Sequence, residues 1–167
     1  WSSGYVADIN YTYGYYPGLN PLNMKLALLF AGIKPPKIKQ ACELGYGQGI
    51  SINFHSAATS VAWSGNDFNP AHTSFANEVN LASGSSSYLS EDDFERFCAQ
   101  SELPDFDFIG LHGVWSWISE ANRSLIIDFI GRKLRVGGVV YLSYNSQNAW
   151  ASMISLRDLM TYYANVM

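Results

Sequence analysis

The chain has 167 residues, a net charge of −4 and an apolar content of 48%. Its length fits a single domain with a buried core, and a charged fraction of 14% with so much apolar sequence excludes a disordered chain. The negative charge argues against a nucleic-acid partner, and the absence of a long apolar run argues against a membrane-spanning protein.

The first predicted element is a tyrosine-rich arm that leads into a helix. The arm contains Tyr5, Tyr11, Tyr13, Tyr15 and Tyr16. Tyrosine offers an apolar ring with a polar tip, which suits a surface that closes over a ligand, and simple packing of the arm on the core is an equal alternative. Asn20-Pro21 predicts the start of a helix that ends before Gly32. We therefore expect residues 1–38 to form an arm and helix capping a site in the core, which spans residues 39–167.

The first predicted strand, 39–44, ends in a glycine-rich turn before a helix at 48–60. Gly45, Gly47 and Gly49 stand at alternate positions, where they permit positive φ and close approach of a ligand to the backbone. The following helix directs its N–H groups at the same place. The turn lacks the glycine spacing of a dinucleotide fingerprint and the lysine of a P-loop, so NAD is a weaker interpretation. A turn without any ligand is the other alternative.

Acidic residues follow the next two predicted strands, 61–67 and 85–89. Asp67 stands about 20 positions after the glycine turn, where an acid at the tip of the second strand holds ribose hydroxyls. Asn69-Pro70 already supplies the cap of the next helix, 70–82, which leaves Asp67 for a ligand. Glu91 or Asp92 is suited to an adenine amino group, whereas capping of the next helix, 94–100, is the alternative.

The second half of the chain continues the alternation of strands and helices. It contains predicted strands at 106–111 and 139–144, a helix after Ser119, a turn at Gly137-Gly138 and a final helix at 151–167. This pattern predicts an α/β fold with a Rossmann-like, doubly wound parallel sheet of order 3-2-1-4-5. Ligands bind such sheets at the carboxyl ends of strands one and four, which is where the candidate residues fall.

Taken together, the motifs resemble those of class I S-adenosylmethionine (SAM) dependent methyltransferases. The matching segments are E-L-G-Y-G-Q-G (43–49), G-N-D-F-N-P (65–70), F-D-F-I-G-L-H-G-V-W-S-W-I (106–118) and L-R-V-G-G-V-V-Y-L-S-Y-N (134–145). The arm Y-T-Y-G-Y-Y (11–16) with L-N-P (19–21) resembles bacterial members that carry a C-terminal methyltransferase regulatory domain. Some relatives of that group methylate protein lysines.

The resemblance implies SAM as the cofactor and assigns roles to named residues. The implied cofactor-binding residues are Glu43, Gly45, Tyr46, Gly47, Asp67, Phe68, Glu91, Asp92, His112 and Gly113. The implied substrate-side residues are Tyr11, Tyr15, Trp115 and Trp117, with packing under the last helix as the alternative for the two tryptophans. His112 and Tyr13 are the implied catalytic residues.

Methyl transfer to an amine requires a neutral acceptor, which the tyrosine hydroxyls are suited to orient, whereas a hydroxyl acceptor requires a general base, for which His112 is the candidate. We expect the acceptor to be a small molecule or a protein. We expect no metal site, because Cys42 and Cys98 form no metal-ligand pattern, and a cytoplasmic location, because no signal peptide is visible. The family's sixth and seventh strands are missing, so the open sheet edge predicts self-association. The alternative function is a SAM-binding module without turnover.

Overall fold

A computed structural model of the chain describes residues 11–146 and 148–166. Residues 1–10, which include Tyr5 and the start of the predicted arm, lie outside the described residues. The helices are α1 (Pro21–Phe30), α2 (Ile50–Ala58), α3 (Pro70–Ala82), α4 (Phe94–Cys98), α5 (Glu120–Lys133) and α6 (Ile154–Val166). The strands are β1 (Gln40–Leu44), β2 (Ala62–Asn66), β3 (Tyr88–Ser90), β4 (Phe106–Leu111) and β5 (Leu134–Leu142).

The strands form one parallel sheet with the order β3-β2-β1-β4-β5. The predicted fold class and strand order are therefore confirmed. Because β1 pairs with β2 on one side and with β4 on the other, the chain reverses its winding direction between β1 and β4. A crevice at the carboxyl ends of these two strands is the place where such sheets bind ligands.

Local capping explains why several helices begin where the sequence predicts. The side chain of Asn69 accepts a hydrogen bond from the backbone N–H of Ala71, and Pro70 occupies the first helical position. Asn20 accepts in the same way from Leu22 at the start of α1. Both asparagines satisfy a backbone donor that the helix itself leaves unpaired.

Two apolar layers cover the sheet and hold its carboxyl edge in place. On one face, β4 packs with α4 and α5 through Phe97, Phe106 and Phe129. On the other face, Trp63 and Ile52 form the core with the neighbouring helices. Cys42 and Cys98 are buried free thiols within the first layer. Rings of this size bury large apolar areas, so these layers supply the main stabilisation of the sheet.

The prediction of a turn at Gly137-Gly138 is wrong, because both glycines lie inside β5. The strand starts directly after α5, with Leu134 opposite Phe106 and Val139 opposite Phe108. The extra residues form a bulge, and Gly137 takes a φ of +83° within it. A glycine at a bulge accepts this left-handed backbone at little cost.

Most apolar side chains of α1 and α6 remain at the surface, and Met24 is the residue of α1 that packs partly against the core. No residue of either helix is buried, although Leu22, Leu26, Leu29 and Phe30 give α1 the expected apolar stripe. The stripe predicted the helix correctly but does not pack it into the core. In the described part of the chain, no helix has both the length and the apolar character needed to cross a membrane.

Candidate functional site

The glycine-rich turn after β1 is held open by backbone geometry and by β2. Gly45 and Gly47 adopt φ values of +70° and +58°. The N–H groups of Gly45 and Tyr46 both donate to the carbonyl of Asn66, at 2.9 and 3.1 Å. This left-handed turn leaves the surface of the loop without Cβ atoms beside the crevice, as the sequence predicts.

Asp67 braces this turn from the end of β2. One carboxylate oxygen accepts from the N–H of Gly47 at 2.9 Å. The other accepts from the N–H of Asn69 at 2.9 Å and lies 3.1 Å from Nδ1 of His72. A carboxylate can accept about four hydrogen bonds, so these contacts leave Asp67 some capacity for a ligand. Its ribose-binding role stays a prediction, and its structural role was not foreseen.

Glu43 carries the feature that most clearly points to a ligand. Its side chain is 3% exposed, and its Oε2 atom has no hydrogen-bond partner among the described residues. Burial raises the pKa of this carboxyl from 4.5 to about 8, and the charge of Asp67 adds to the rise. A buried polar atom without a partner is costly, so a bound group with N–H donors would satisfy it.

Tyr46 stands just after β1 and Phe68 just after β2, and their side chains have different surroundings. The hydroxyl of Tyr46 donates to the carbonyl of Ser90 at 3.1 Å and lies 3.0 Å from Oγ1 of Thr73. These contacts lock the Tyr46 ring into the core and leave it a supporting role. Phe68 is half-buried directly after Asp67, beside the turn.

The carboxylates of the acidic loop after β3 have different contacts. Asp92 accepts from the Ser90 hydroxyl and from Nε2 of Gln100, and it pairs with Arg96 at 3.2 Å. Asp93, which was not assigned a role, caps α4 by accepting from Arg96 N–H. Glu91 is exposed. Of the two candidates for the adenine amino group, Glu91 is therefore the one with its surface open to solvent.

The tyrosine arm reaches the crevice through Tyr11. The Tyr11 ring lies against Gly47, and its hydroxyl lies 3.6 Å from the position of a Cβ on Gly113. The ring therefore spans from the turn after β1 to the turn after β4. Burial raises the pKa of this phenol, and Tyr16, Glu43 and Asp67 raise it further.

The neighbouring tyrosines lie elsewhere. The Tyr13 side chain is 70% exposed and meets Phe75 of α3 edge-on at 5.2 Å. Tyr15 packs on Phe54 and His55 of α2. The structure thus brings Tyr11 to the crevice and places the rings of Tyr13 and Tyr15 on the two helices beside it.

His112 follows β4 and is surrounded by residues that sequence reasoning missed. Its Nδ1 lies 3.1 Å from the hydroxyl of Tyr141 and 3.3 Å from Oγ of Ser143. Its ring stacks on Tyr16 at 4.1 Å. Burial lowers the pKa of His112. The tail of the fifth predicted strand, L-S-Y, was the signal available for Ser143, but no local pattern singled it out.

Gly113 and Gly18 contribute two further contacts to the corner around His112, at the ends of β4 and β5. The N–H of Gly113 donates to Oγ of Ser143 at 2.7 Å, which joins the turn after β4 to the end of β5. Gly18, in the 3₁₀ turn Pro17–Leu19, lies directly against the Tyr141 hydroxyl. Leu19 is fully buried and touches the backbone at Gly110. These contacts fasten the base of the arm to β4 and β5.

The two tryptophans of the turn after β4 face different surroundings. Trp115 packs on the α4–α5 core, and its carbonyl accepts from Arg123 at 3.1 Å. Trp117 is 56% exposed and lines an open groove of about 900 Å³ together with Asn145, Trp150, Arg157 and Met160. Trp115 thus packs on the core of α4 and α5 rather than under the last helix, while Trp117 faces a groove large enough for an acceptor.

The fold is shared with solved methyltransferase structures. PKMT2 from Rickettsia typhi, solved in complex with AdoHcy, has a TM-score of 0.79 at 19% identity over 94% of this chain and 31% of its own. A SAM-dependent methyltransferase from Thiobacillus denitrificans in complex with S-adenosyl-L-homocysteine has a TM-score of 0.51 at 22% identity, covering 73% of this chain and 48% of its own. The chain therefore has the fold of class I SAM-dependent methyltransferases.

Curated relatives are similar in sequence but have no described function. An uncharacterized protein of Synechocystis sp. is 41% identical over 98% of this chain and 33% of its own length. An uncharacterized protein of Rickettsia prowazekii is 29% identical over 98% of this chain and 31% of its own. The chain thus spans about a third of the relatives it matches. No family model matches it.

Proposed function

We propose that this chain is the cofactor-binding and catalytic part of a SAM-dependent methyltransferase that acts on an amine, with protein lysine as the favoured acceptor. The observation that carries the proposal is the unpartnered Oε2 atom of Glu43, buried beneath the glycine-rich turn. An α-ammonium group is a suitable donor for this atom, and its positive charge would favour release of the proton that Glu43 holds in the ligand-free chain. SAM would supply the methyl group on a sulfonium, which is already a good leaving group.

The chain's own residues would then bind SAM and align the acceptor with its methyl group. Gly45 and Gly47 allow the left-handed backbone of the turn, and Asp67 fixes the turn through the N–H of Gly47. Tyr11 covers the turn from the arm side and shields it from water. His112 and Gly113 border the crevice where the acceptor would meet the methyl donor. Alignment in a water-poor site is the main contribution a protein makes to such a displacement.

The acceptor class is supported by the aromatic lining of the groove that contains Trp117. Trp117 and Trp150 present half-exposed rings to the groove beyond β4 and β5. Aromatic faces attract an alkylammonium group and tolerate the charge of the methylated product. The resemblance of the tyrosine arm to methyltransferases with lysine-directed relatives, and the shared fold of PKMT2, favour protein lysine over a small amine.

Calorimetric titration with SAM, with S-adenosylhomocysteine and with NAD tests the cofactor. We expect both sulfur ligands to bind and NAD to give no heat. Glu43→Gln should weaken SAM binding by roughly 1–3 kcal/mol because a hydrogen bond to a charged group is lost. Glu78→Gln, an exposed glutamate on α3, is the matched control and should bind normally. Equal binding by wild type and Glu43→Gln would mean that the buried carboxylate serves folding alone.

Methyl transfer from labelled SAM to poly-L-lysine tests the reaction. We expect label on poly-L-lysine and none on the same polymer after acetylation, which removes the amine nucleophile. Binding of SAM with no label on either polymer would favour a cofactor-binding module without turnover. That second candidate is supported by helix α6, which has no buried residue and forms one wall of the groove.

A further inference from the structure

The imidazole of His112 is held on its Nδ1 edge and on one face. Two hydroxyl oxygens face Nδ1, from Tyr141 at 3.1 Å and from Ser143 at 3.3 Å. The Tyr141 ring is parallel to the imidazole within 2°, with the two ring centroids 6.1 Å apart. Tyr16 covers a face of the imidazole with an interplanar angle of 24°. Nδ1 and one face of the imidazole are therefore engaged, and Nε2 is the ring nitrogen left for a bound molecule.

The arrangement of the two hydroxyls favours a proton on Nδ1. A deprotonated Nδ1 has one lone pair and accepts one hydrogen bond, so the second oxygen would face it without a hydrogen between them. A proton on Nδ1 can instead be shared between both oxygens. Oγ of Ser143 already accepts from the N–H of Gly113, and it keeps a second lone pair for this purpose.

We infer that Tyr141 and Ser143 are positioning residues that hold the Nδ1–H tautomer of His112, so that Nε2 accepts the proton of an ammonium acceptor. This inference rests on the proposed function for its substrate. An acceptor R–NH₃⁺ gives one proton to Nε2 and becomes the neutral nucleophile R–NH₂. The imidazolium keeps its Nδ1–H bonds to the two hydroxyls and later releases the Nε2 proton to water. No oxidant or further reactant is needed.

The electrostatic surroundings keep the imidazole available as a base. The titratable groups that face it are the phenols of Tyr16 from the arm and Tyr141 from β5, and the Tyr11 hydroxyl lies near the adjacent Gly113. Within residues 11–146 and 148–166, no carboxylate hydrogen-bonds to the ring. Burial accordingly lowers the pKa of His112 and leaves it neutral at pH 7.

Nitrogen NMR of the chain labelled with ¹⁵N-histidine tests the tautomer without any methyl acceptor. The His112 signals are assigned by their loss in His112→Gln. We expect a neutral ring with the proton on Nδ1, and a ring protonated on Nε2 overturns the inference. Titration of the same samples with S-adenosylhomocysteine tests the proposed function separately, since the tautomer is read whether or not that ligand binds.

Two conservative variants test the positioning role. Tyr141→Phe and Ser143→Ala should each lower the pKa of His112 by about one unit, because the imidazolium loses an acceptor. Each should also mix the two tautomers. Tyr144→Phe, an exposed tyrosine next along the chain, is the control and should match the wild type. Wild-type tautomer and pKa in both Tyr141→Phe and Ser143→Ala would overturn the inference, and the second variant guards against poor folding of the first.

Discussion

The ring of Tyr11 lies so close to Gly47 that a Cβ at position 47 would approach its ring carbons to 2.5 Å. The arm and the glycine-rich turn are therefore fitted to one another, and a change in either must be felt by the other. Tyr11 was expected on the substrate side, but this contact places it over the turn that we propose for the cofactor. The contact also gives the first of four predictions.

Gly47→Ala should displace the arm as well as strain the turn. Alanine at a left-handed position costs about 1–2 kcal/mol, and the collision with Tyr11 should add about 1 kcal/mol. Gly84→Ala is the matched control, because Gly84 has a φ of +69° and nothing within 4 Å of its would-be Cβ. Urea denaturation measures both. In a chain that also carries Tyr11→Ala, Gly47→Ala and Gly84→Ala should lower the unfolding free energy equally. If Gly47→Ala still costs more there, the proposed contact between Tyr11 and Gly47 is contradicted.

Asp67→Ala should lower folding stability as well as cofactor affinity. The carboxylate accepts from the backbone at Gly47 and at Asn69, so its loss leaves two buried donors unpaired. Charged hydrogen bonds of this kind are worth about 1.5–3 kcal/mol. Denaturation of the ligand-free chain checks the value, and Asp158→Ala on exposed α6 is the control. Normal stability with weak SAM binding would restore the simpler picture of a ribose ligand alone.

Glu43 should make the protein less stable as the pH rises from about 4.5 to about 8. Its pKa in the folded state is raised to about 8, so the folded chain holds a proton that the unfolded chain has released across this window. Stability falls with pH wherever the folded state binds more protons. Thermal unfolding of wild type and Glu43→Gln checks this, since the glutamine variant should lose this part of the slope. Parallel curves for the two proteins would show that Glu43 titrates normally.

Substitutions at the two tryptophans should have different effects: Trp115→Ala on folding stability and Trp117→Ala on acceptor binding. Trp115→Ala removes a ring packed on the core and should cost about 2–3 kcal/mol of unfolding free energy. Trp117→Ala should change stability by less than about 0.5 kcal/mol, because its ring is exposed. In methyl transfer to poly-L-lysine, Trp117→Ala should raise KM while SAM affinity stays unchanged. Unaltered kinetics would remove Trp117 from the acceptor side.

Elements defined by local chemistry were predictable from sequence. The helix at 70–82 has the predicted bounds because Asn69 and Pro70 cap it without help from the rest of the fold. The order of the strands follows from their alternation with helices and the handedness of the crossovers. By contrast, the start of β5 depends on a bulge against β4, which arises from pairing between distant residues. No periodicity within the strand reveals it.

The residues of the candidate site likewise fall into two groups, those that local sequence predicts and those that depend on contacts between distant parts of the chain. Glu43 lies in the last part of β1, and the glycine turn and Asp67 directly follow β1 and β2, so the strand pattern and the motif E-L-G-Y-G-Q-G locate them. Five tyrosines in the arm look alike in sequence, and only the path of the chain distinguishes Tyr11 over the turn from Tyr13 on α3. Tyr141 and Ser143 became visible as partners of His112 once β4 and β5 were paired.

The contact of Gly18 with the Tyr141 hydroxyl joins opposite ends of the described chain. During synthesis on the ribosome, Gly18 emerges early but cannot make this contact until β5 has been made and paired with β4. Contacts of such wide sequence separation form late in folding, after the local helices. A nascent chain that stops short of β5 would therefore lack this contact, and protection of the Tyr141 ring from chemical labelling during refolding would mark the moment at which Gly18 and His112 meet the end of β5.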